Sequence, residues 1–305
     1  AGSWFHRTEC FGPVLGIMAA DALDHAIELQ NATPFGLTGG IESLDPHEVD
    51  HWLARVEVGN AYVNREITGA IVRRQPFGGW KRSSVGPGAK AGGRNYVAQF
   101  GTFLDDEVPA QRGTPSEEIL DLQRMLVRNL TADDGAWLQA AAEHDAYCWE
   151  HEYGIEHDPS ALRIEANLFR YRPHPDVAVR IEADAALRDA ARTLIAAHRS
   201  GAGLDLSAAP GFAWGSNGSL GFQEESLEEL IDRLGAGARL RIVGALSIDA
   251  RRRAQSREIE VFDSPVAGSG RRELPLYLRE QTVSRTLHRY GNLLSEAAGR
   301  RTLPA

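Results

Sequence analysis

The sequence predicts an α/β chain in two units. Three observations carry that prediction. Apolar residues recur at helical spacing in some windows and alternate in others, and the two patterns take turns along the chain. A stretch rich in acid, proline and glycine, 105–116, interrupts the alternation. Beyond it a β-α-β rhythm begins again.

In order, Glu9–Met18 is a strand candidate punctuated by Gly12 and Pro13. Asp21–Asn31 carries Ala22, Leu23, Ala26, Ile27 and Leu29 as a helical stripe, which Thr33-Pro34-Phe35-Gly36 ends. Leu37–Ser43 starts a buried strand. Asp45 and Pro46 begin a helix that places Val49, Trp52, Leu53 and Val56 on one face. Val58–Asn64 is a strand, Gly86–Gly93 a glycine-rich connector, and Tyr96–Phe103 a short closing strand. After the linker, Thr114-Pro115-Ser116 signals a helix start. Glu117–Val127 and Asp133–Glu150 read as helices, Ala161–Tyr171 and Val177–Ile181 as strands. Ala185–His198 is a helix, Leu204–Leu206 a strand, Ser226–Leu234 a helix and Leu240–Leu246 a strand. Arg279–Leu294 is a closing amphipathic segment. No internal repeat or low-complexity tract is present.

Composition excludes several classes. A net charge of -9 opposes non-specific nucleic-acid binding. Two cysteines, Cys10 and Cys148, cannot build a disulfide framework, and point to a reducing cytoplasm. No apolar run approaches a membrane span, and no signal peptide is visible. The chain opens Ala1-Gly2-Ser3-Trp4-Phe5-His6 without Met. The expectation is a C-terminal piece of a longer polypeptide; the alternative is a complete protein with a processed terminus.

The most informative stretch is Gly59–Gly79. A short apolar strand, Ala61–Val63, leads to Thr68-Gly69-Ala70, where small residues let backbone N–H groups approach a ligand. Gln75-Pro76-Phe77-Gly78-Gly79 then turns the chain and offers an aromatic face. This order and spacing resemble the aldehyde anchor loop of the aldehyde dehydrogenase superfamily, specifically its L-glutamate γ-semialdehyde dehydrogenase branch. Thr8-Glu9-Cys10-Phe11-Gly12-Pro13-Val14 likewise resembles that family's Glu-x-Phe-Gly-Pro-Val motif. The resemblance implies an NAD cofactor, with Glu9 accepting from the nicotinamide ribose hydroxyls and Phe11 packing by the nicotinamide. A carboxylate can accept from two vicinal hydroxyls at once. It implies that the backbone N–H groups of Gly69 and Ala70 bind the substrate's α-carboxylate and that Phe77 packs on its aliphatic part. Without the resemblance, Glu9 and Phe11 read as an exposed acid and a core ring, and the loop as structural glycine.

Aldehyde oxidation needs a thiolate, an oxyanion hole, a base and a hydride acceptor. Cys10 occupies the variable slot between Glu9 and Phe11 and is expected to be a buried small apolar residue. A neighbouring glutamate also raises a thiol pKa, the wrong direction for activation. Cys148 reads as packing. No catalytic residue is therefore expected in this chain, and the family's nucleophile belongs to a motif upstream. Gly78-Gly79-Trp80-Lys81-Arg82-Ser83 lacks Walker spacing, no Gly-x-Gly-x-x-Gly occurs, and Cys148, His151 and His157 match no zinc spacing. No metal site is expected. Arg251-Arg252-Arg253 and Arg271-Arg272 read as solvated surface.

Glu165–Pro173 and Arg279–Leu293 resemble the C-terminal region of long bifunctional proline utilization A proteins. That resemblance implies a domain layout: 1–104 as the C-terminal portion of an aldehyde dehydrogenase domain, 105–116 as linker, and 117–305 as a second, Rossmann-like α/β domain that is not catalytic. Its tail motif is 279–294. It also implies proline catabolism, with FAD only in a missing proline dehydrogenase portion. The expected partners are a small-molecule substrate and the missing N-terminal part of the same polypeptide. The expected location is the cytoplasm, with contact to the inner membrane only through the missing part. Oligomeric state is not legible, although Tyr96–Phe103 as an edge strand could pair in a homo-oligomer. Two alternatives stay open: an aldehyde dehydrogenase of other specificity with an unrelated tail, and a non-catalytic scaffold or oligomerisation module.

Overall fold

The computed structural model describes residues 1–68, 70–72, 74–101, 107–212, 214, 220–289 and 292–293. Along the chain run α1 (Trp4–Arg7), α2 (Leu23–Asn31), β1 (Phe35–Gly36), β2 (Thr38–Ile41), α3 (Pro46–Arg55), β3 (Asn60–Val63) and β4 (Trp80–Lys81). There follow α4 (Glu117–Leu126), α5 (Ala132–Cys148), β5 (Glu165–Pro173), β6 (Val177–Ile181), α6 (Leu187–Ser200), β7 (Leu204–Ala208) and β8 (Gln223–Glu224). The series closes with α7 (Leu227–Arg233), β9 (Arg239–Val243), α8 (Ile248–Ser256), β10 (Glu260–Phe262), α9 (Gly270–Glu273), β11 (Leu278–Thr286), β12 (His288–Arg289) and β13 (Asn292–Leu293). Contacts divide the chain into two units. One comprises Ala1–Gln99, Glu156–Arg170 and the described residues from Glu280 onward; the other comprises Phe100–Ile155 and Tyr171–Arg279. Segments distant in sequence thus join the first unit, where composition suggests one cut at 105–116.

In the first unit Asp45 caps α3, accepting from the His47 N–H at 2.8 Å, and Pro46 takes the first helical position. That start turns Val49 and Trp52 inward. With Ile27, Val56, Val58, Ala61, Val63 and Val283 they form the core. The sheet runs β2-β3-β11-β5. Strand β3 is parallel to β2 (Thr38↔Asn60) on one side and to β11 (Thr282↔Asn60) on the other. All four residues of β3 are buried, the pattern of a parallel strand covered on both faces.

Three expectations are corrected here. Glu9–Met18 forms no strand: 9–20 lies outside regular structure and is exposed except at Cys10, with no pairing partner among the described residues. Cys10 is half-buried rather than buried, because little covers that segment. Over Tyr96–Phe103 the chain makes a 3₁₀ turn, Val97–Phe100, tightened by bonds such as Ala98 N–H to Asn95 O at 3.2 Å; 102–103 lie outside the described residues. The edge strand invoked for self-association is therefore not formed by the described residues.

The second unit has five parallel strands in the order β10-β9-β6-β7-β8. Its chain enters at the centre, winds outward through β7 and β8, then crosses to β9 and β10, as doubly wound Rossmann-type sheets do. Such sheets bind dinucleotides at the carboxyl ends where the winding reverses, here between β6 and β9. That crevice holds carboxylates. Glu182 pairs with Arg180 at 2.8 Å, and Asp184 Oδ1 accepts from the Ala245 N–H at 3.3 Å. Gly244 has φ 116°, and a Cβ there would come within 2.6 Å of Asp184 Oδ1. Arg279–Leu294, expected to be amphipathic, instead begins in β11, whose residues are buried on both faces except Arg279 and Thr286. Helix α8 escapes sequence reading because its inward stripe is only Ala250 and Ala254.

Buried charge specifies this unit's interior. Arg192 makes two 2.7 Å bonds to Asp145, and neither side chain exceeds 1% exposure. Arg241 pairs with Glu273 at 3.1 Å, and Glu273 also accepts from the Tyr277 hydroxyl at 3.0 Å and the Ala267 N–H at 3.1 Å. Breaking such a pair strands a charge, whereas removing both partners is milder. Arg192→Met should cost about 3–5 kcal/mol in urea unfolding, and Arg192→Met with Asp145→Leu distinctly less.

Candidate functional site

The expected anchor loop leaves β3 at Asn64. This residue takes the left-handed conformation, φ 55°, and its amide ties to Ser43 through two 2.9 Å bonds. Asparagine tolerates that conformation better than most residues. The described residues from Glu66 to Val72 are exposed. The chain is then fixed again. Gln75 is buried, and its Nε2 donates to Asn167 Oδ1 at 3.2 Å and to Ser284 Oγ. Phe77 and Ala91 exchange two backbone bonds of 3.0 Å. Trp80 Nε1 donates to the Glu280 carbonyl at 2.7 Å. Gly59 must be glycine: a Cβ would strike the Gly78 carbonyl and come within 2.8 Å of Lys90 Nζ. The result is an open loop between two anchored arms.

Of the expected substrate residues, Ala70 is exposed at the loop and Phe77 half-buried on its return arm. Gly69 lies outside the described residues. Glu9 is exposed and Phe11 is 95% exposed. Among the described residues no hydrogen bond or ion pair joins either to the loop. No described residue bonds the Glu9 carboxylate, and both side chains are open to solvent. These two residues fit the part the resemblance gives them toward NAD.

Sequence reading missed the residues behind the loop. Lys90, within Gly-Pro-Gly-Ala-Lys-Ala-Gly-Gly, has no exposed surface, and its Nζ donates to the Gly78 carbonyl. Burial lowers its pKa to about 7, against the pull of the Glu280 charge. Glu280 accepts from the Lys90 backbone N–H and from Asn95 Nδ2, both at 2.7 Å. Glu165 accepts from Arg65 at 3.3 Å and Arg74 at 2.8 Å, a pairing across about a hundred positions that no local pattern shows.

The second unit holds a cysteine–histidine pair, Cys148 Sγ to His144 Nε2 at 3.6 Å. Its surroundings disfavour a thiolate. Burial pushes the Cys148 thiol up to about 12 and takes His144 down to about 4, while His144 Nδ1 accepts from the Gly270 N–H at 2.9 Å. In the first basic cluster Arg251 pairs with Asp263 and Arg253 with Asp232, whereas Arg271, expected at the solvated surface, is half-buried and donates to the Tyr153 hydroxyl at 2.7 Å. Among the described residues no group of three or more His, Cys, Asp or Glu could hold a metal ion, and no helix is long and apolar enough to cross a membrane.

Comparison with known proteins bears on the first third of the chain and on its fold. Residues 3–102 match the sequence model of the aldehyde dehydrogenase family. The 1-pyrroline-5-carboxylate dehydrogenase 2 of Halalkalibacterium halodurans is 46% identical over 92 residues, 30% of this chain and 18% of that protein. A 1-pyrroline-5-carboxylate dehydrogenase of Geobacillus sp. is 45% identical over 91 residues, 30% of this chain and 17% of that protein. The structure of proline utilization A from Corynebacterium freiburgense matches with TM-score 0.76 and 42% identity, covering 96% of this chain and 27% of that one. The chain thus spans less than a fifth of these curated relatives' length.

Lys90 gives this site a pH signature. Its folded pKa of about 7 lies below the ordinary 10.5, so the unfolded chain binds the extra proton between those values and stability rises with pH there. The slope approaches about 1.4 kcal/mol per pH unit. Below about pH 7 the lysine is charged in both states and the destabilisation is complete. Urea unfolding between about pH 7 and 9 should show the rise, and Lys90→Met should flatten it.

Proposed function

We propose that this chain, whose residues 3–102 are aldehyde dehydrogenase family sequence, carries the substrate-anchoring side of an L-glutamate γ-semialdehyde dehydrogenase. The observation that carries the reading is that the described residues of Glu66–Val72 are exposed between two fixed arms, within the residues 3–102 that match the aldehyde dehydrogenase family. Backbone N–H groups at Gly69 and Ala70 would receive the α-carboxylate of the open semialdehyde, and Phe77 would cover its methylenes. An anion held by backbone donors needs no buried countercharge, which suits a loop exposed to solvent. Glu9 and Phe11 would position the nicotinamide riboside of NAD, which supplies the hydride acceptor.

The same reading covers the rest of the chain. Residues 1–104 would be the C-terminal portion of the dehydrogenase domain, 105–116 a linker, and 117–305 the non-catalytic domain of a proline utilization A type protein, with 279–294 its tail motif. Carboxylates in the crevice between β6 and β9, and no glycine-rich turn after β6, support a domain that binds no dinucleotide. The attacking thiolate would come from outside these residues. Cys10 sits in a variable slot, and Cys148 is buried with a pKa of about 12.

Two measurements test this. The 305-residue polypeptide, supplied with NAD and the semialdehyde, should form no NADH; turnover would overturn the assignment of the thiolate elsewhere. Titrating it with L-glutamate should shift the backbone amide resonance of Ala70, whereas 4-aminobutyrate, which lacks the α-carboxylate, should not. Ala70→Leu should weaken glutamate about tenfold. Equal responses to both ligands would favour an aldehyde dehydrogenase of other specificity.

A further inference from the structure

We infer that Glu165 is a positioning residue for the anchor loop: one carboxylate gathers Arg65 and Arg74, on the loop's two arms, and so sets the distance across its mouth. This rests on the reading of the loop as the substrate anchor. Glu165 opens β5, beyond the family-matched residues 3–102. Its Oε2 accepts from Arg65 Nη1 at 3.3 Å, and its Oε1 from Arg74 Nη1 at 2.8 Å and from Asn167 Nδ2 at 3.2 Å. The carboxylate side chain is 15% exposed, against 21% for Arg65 and 41% for Arg74. An isolated exposed ion pair contributes little, but a half-buried acid shared by two guanidiniums acts as a network.

The geometry gives the clamp two effects. The described loop residues between the two arginines are exposed, so their order depends on how their ends are held. Asn167 extends the clamp, since it also receives Gln75 Nε2 at 3.2 Å and donates its backbone N–H to Asp158 at 3.2 Å. The second effect concerns charge. Two guanidiniums beside an anion site would bind any carboxylate, and bidentate arginine–carboxylate pairing is strong. Glu165 offsets one of the two positive charges, so recognition leans less on charge and more on the loop's backbone donors, which read the position of the α-carboxylate.

Hydrogen exchange on the 305-residue chain tests the clamp without ligand. In Glu165→Gln the amides of Arg74 and Gln75, which donate to the Ile71 carbonyl at 2.9 and 3.1 Å, should exchange about fivefold faster, with β3 and the second unit unchanged. Arg74→Gln, at a half-exposed position that disturbs no strand, should do the same and covers the case in which the Glu165 variant fails to fold. Unchanged loop exchange in Arg74→Gln, or acceleration spread over the whole first unit, would overturn the clamp. Ligand titration supplies a readout that a merely structural role would not move: Glu165→Gln should narrow the preference for L-glutamate over 4-aminobutyrate several-fold. A preference retained in full would overturn the charge-masking role. If the loop loosens as expected but the unaltered chain binds no glutamate, the anchor reading fails and the clamp stands.

Discussion

The first unit depends on the pairing of β3 with β11. Strand β3 carries the chain into the anchor loop, and its neighbour on one side is drawn from more than two hundred residues further along. The Thr282 N–H donates to the Gly59 carbonyl at 2.9 Å, and Gln281 Nε2 donates to the Val58 carbonyl at 2.8 Å. Thr282 Oγ1 bonds Asn60 Oδ1 at 2.9 Å. The same strand receives the loop's return arm through the Glu280 carbonyl and Ser284, and Glu280 also holds Lys90. Parallel neighbours are never joined by a tight turn, so such a strand must be supplied from elsewhere in the chain. Here it is supplied with polar side chains that fix what lies beside it.

Local chemistry made much of the first unit legible. Asp45-Pro46 announces α3, the stripe around Ile27 announces α2, and the apolar run at Ala61–Val63 announces β3, because each is decided by neighbours within a turn or two. What failed was decided at a distance. Glu9–Met18 has strand-like residues but no described partner, and a strand is defined by its partner. Arg279–Leu294 looked amphipathic because polar residues such as Glu280, Gln281 and Ser284 surround a few apolar ones, Val283 and Leu287 among them; in the fold those polar groups are buried and bonded. Lys90 and Glu165 were invisible for the same reason. The order of small residues that suggests an anchor loop is a property of sequence, while the groups that hold its described ends are a property of topology.

The second unit shows a fold and a site parting company. Its strand order is that of a doubly wound sheet, yet Glu182 and Asp184 line the crevice between β6 and β9, and several of its most buried charged groups are committed to one another. Arg192 with Asp145, and Arg241 with Glu273 and Tyr277, are satisfied pairs that contribute specificity of packing rather than reactivity.

The long reach between β3 and β11 also sets a timetable. Asn60 and Thr282, bonded in the folded protein, are 222 positions apart. At ribosomal rates of about 5–20 residues per second, roughly 10–45 s separate their synthesis. Throughout that interval one edge of β3 is an unpaired, apolar strand edge, the kind that recruits other chains. The nascent protein therefore passes through a stage in which its most sequence-recognisable part is made but unfinished. Until β11 arrives, that edge must be shielded if the nascent chain is not to associate through it.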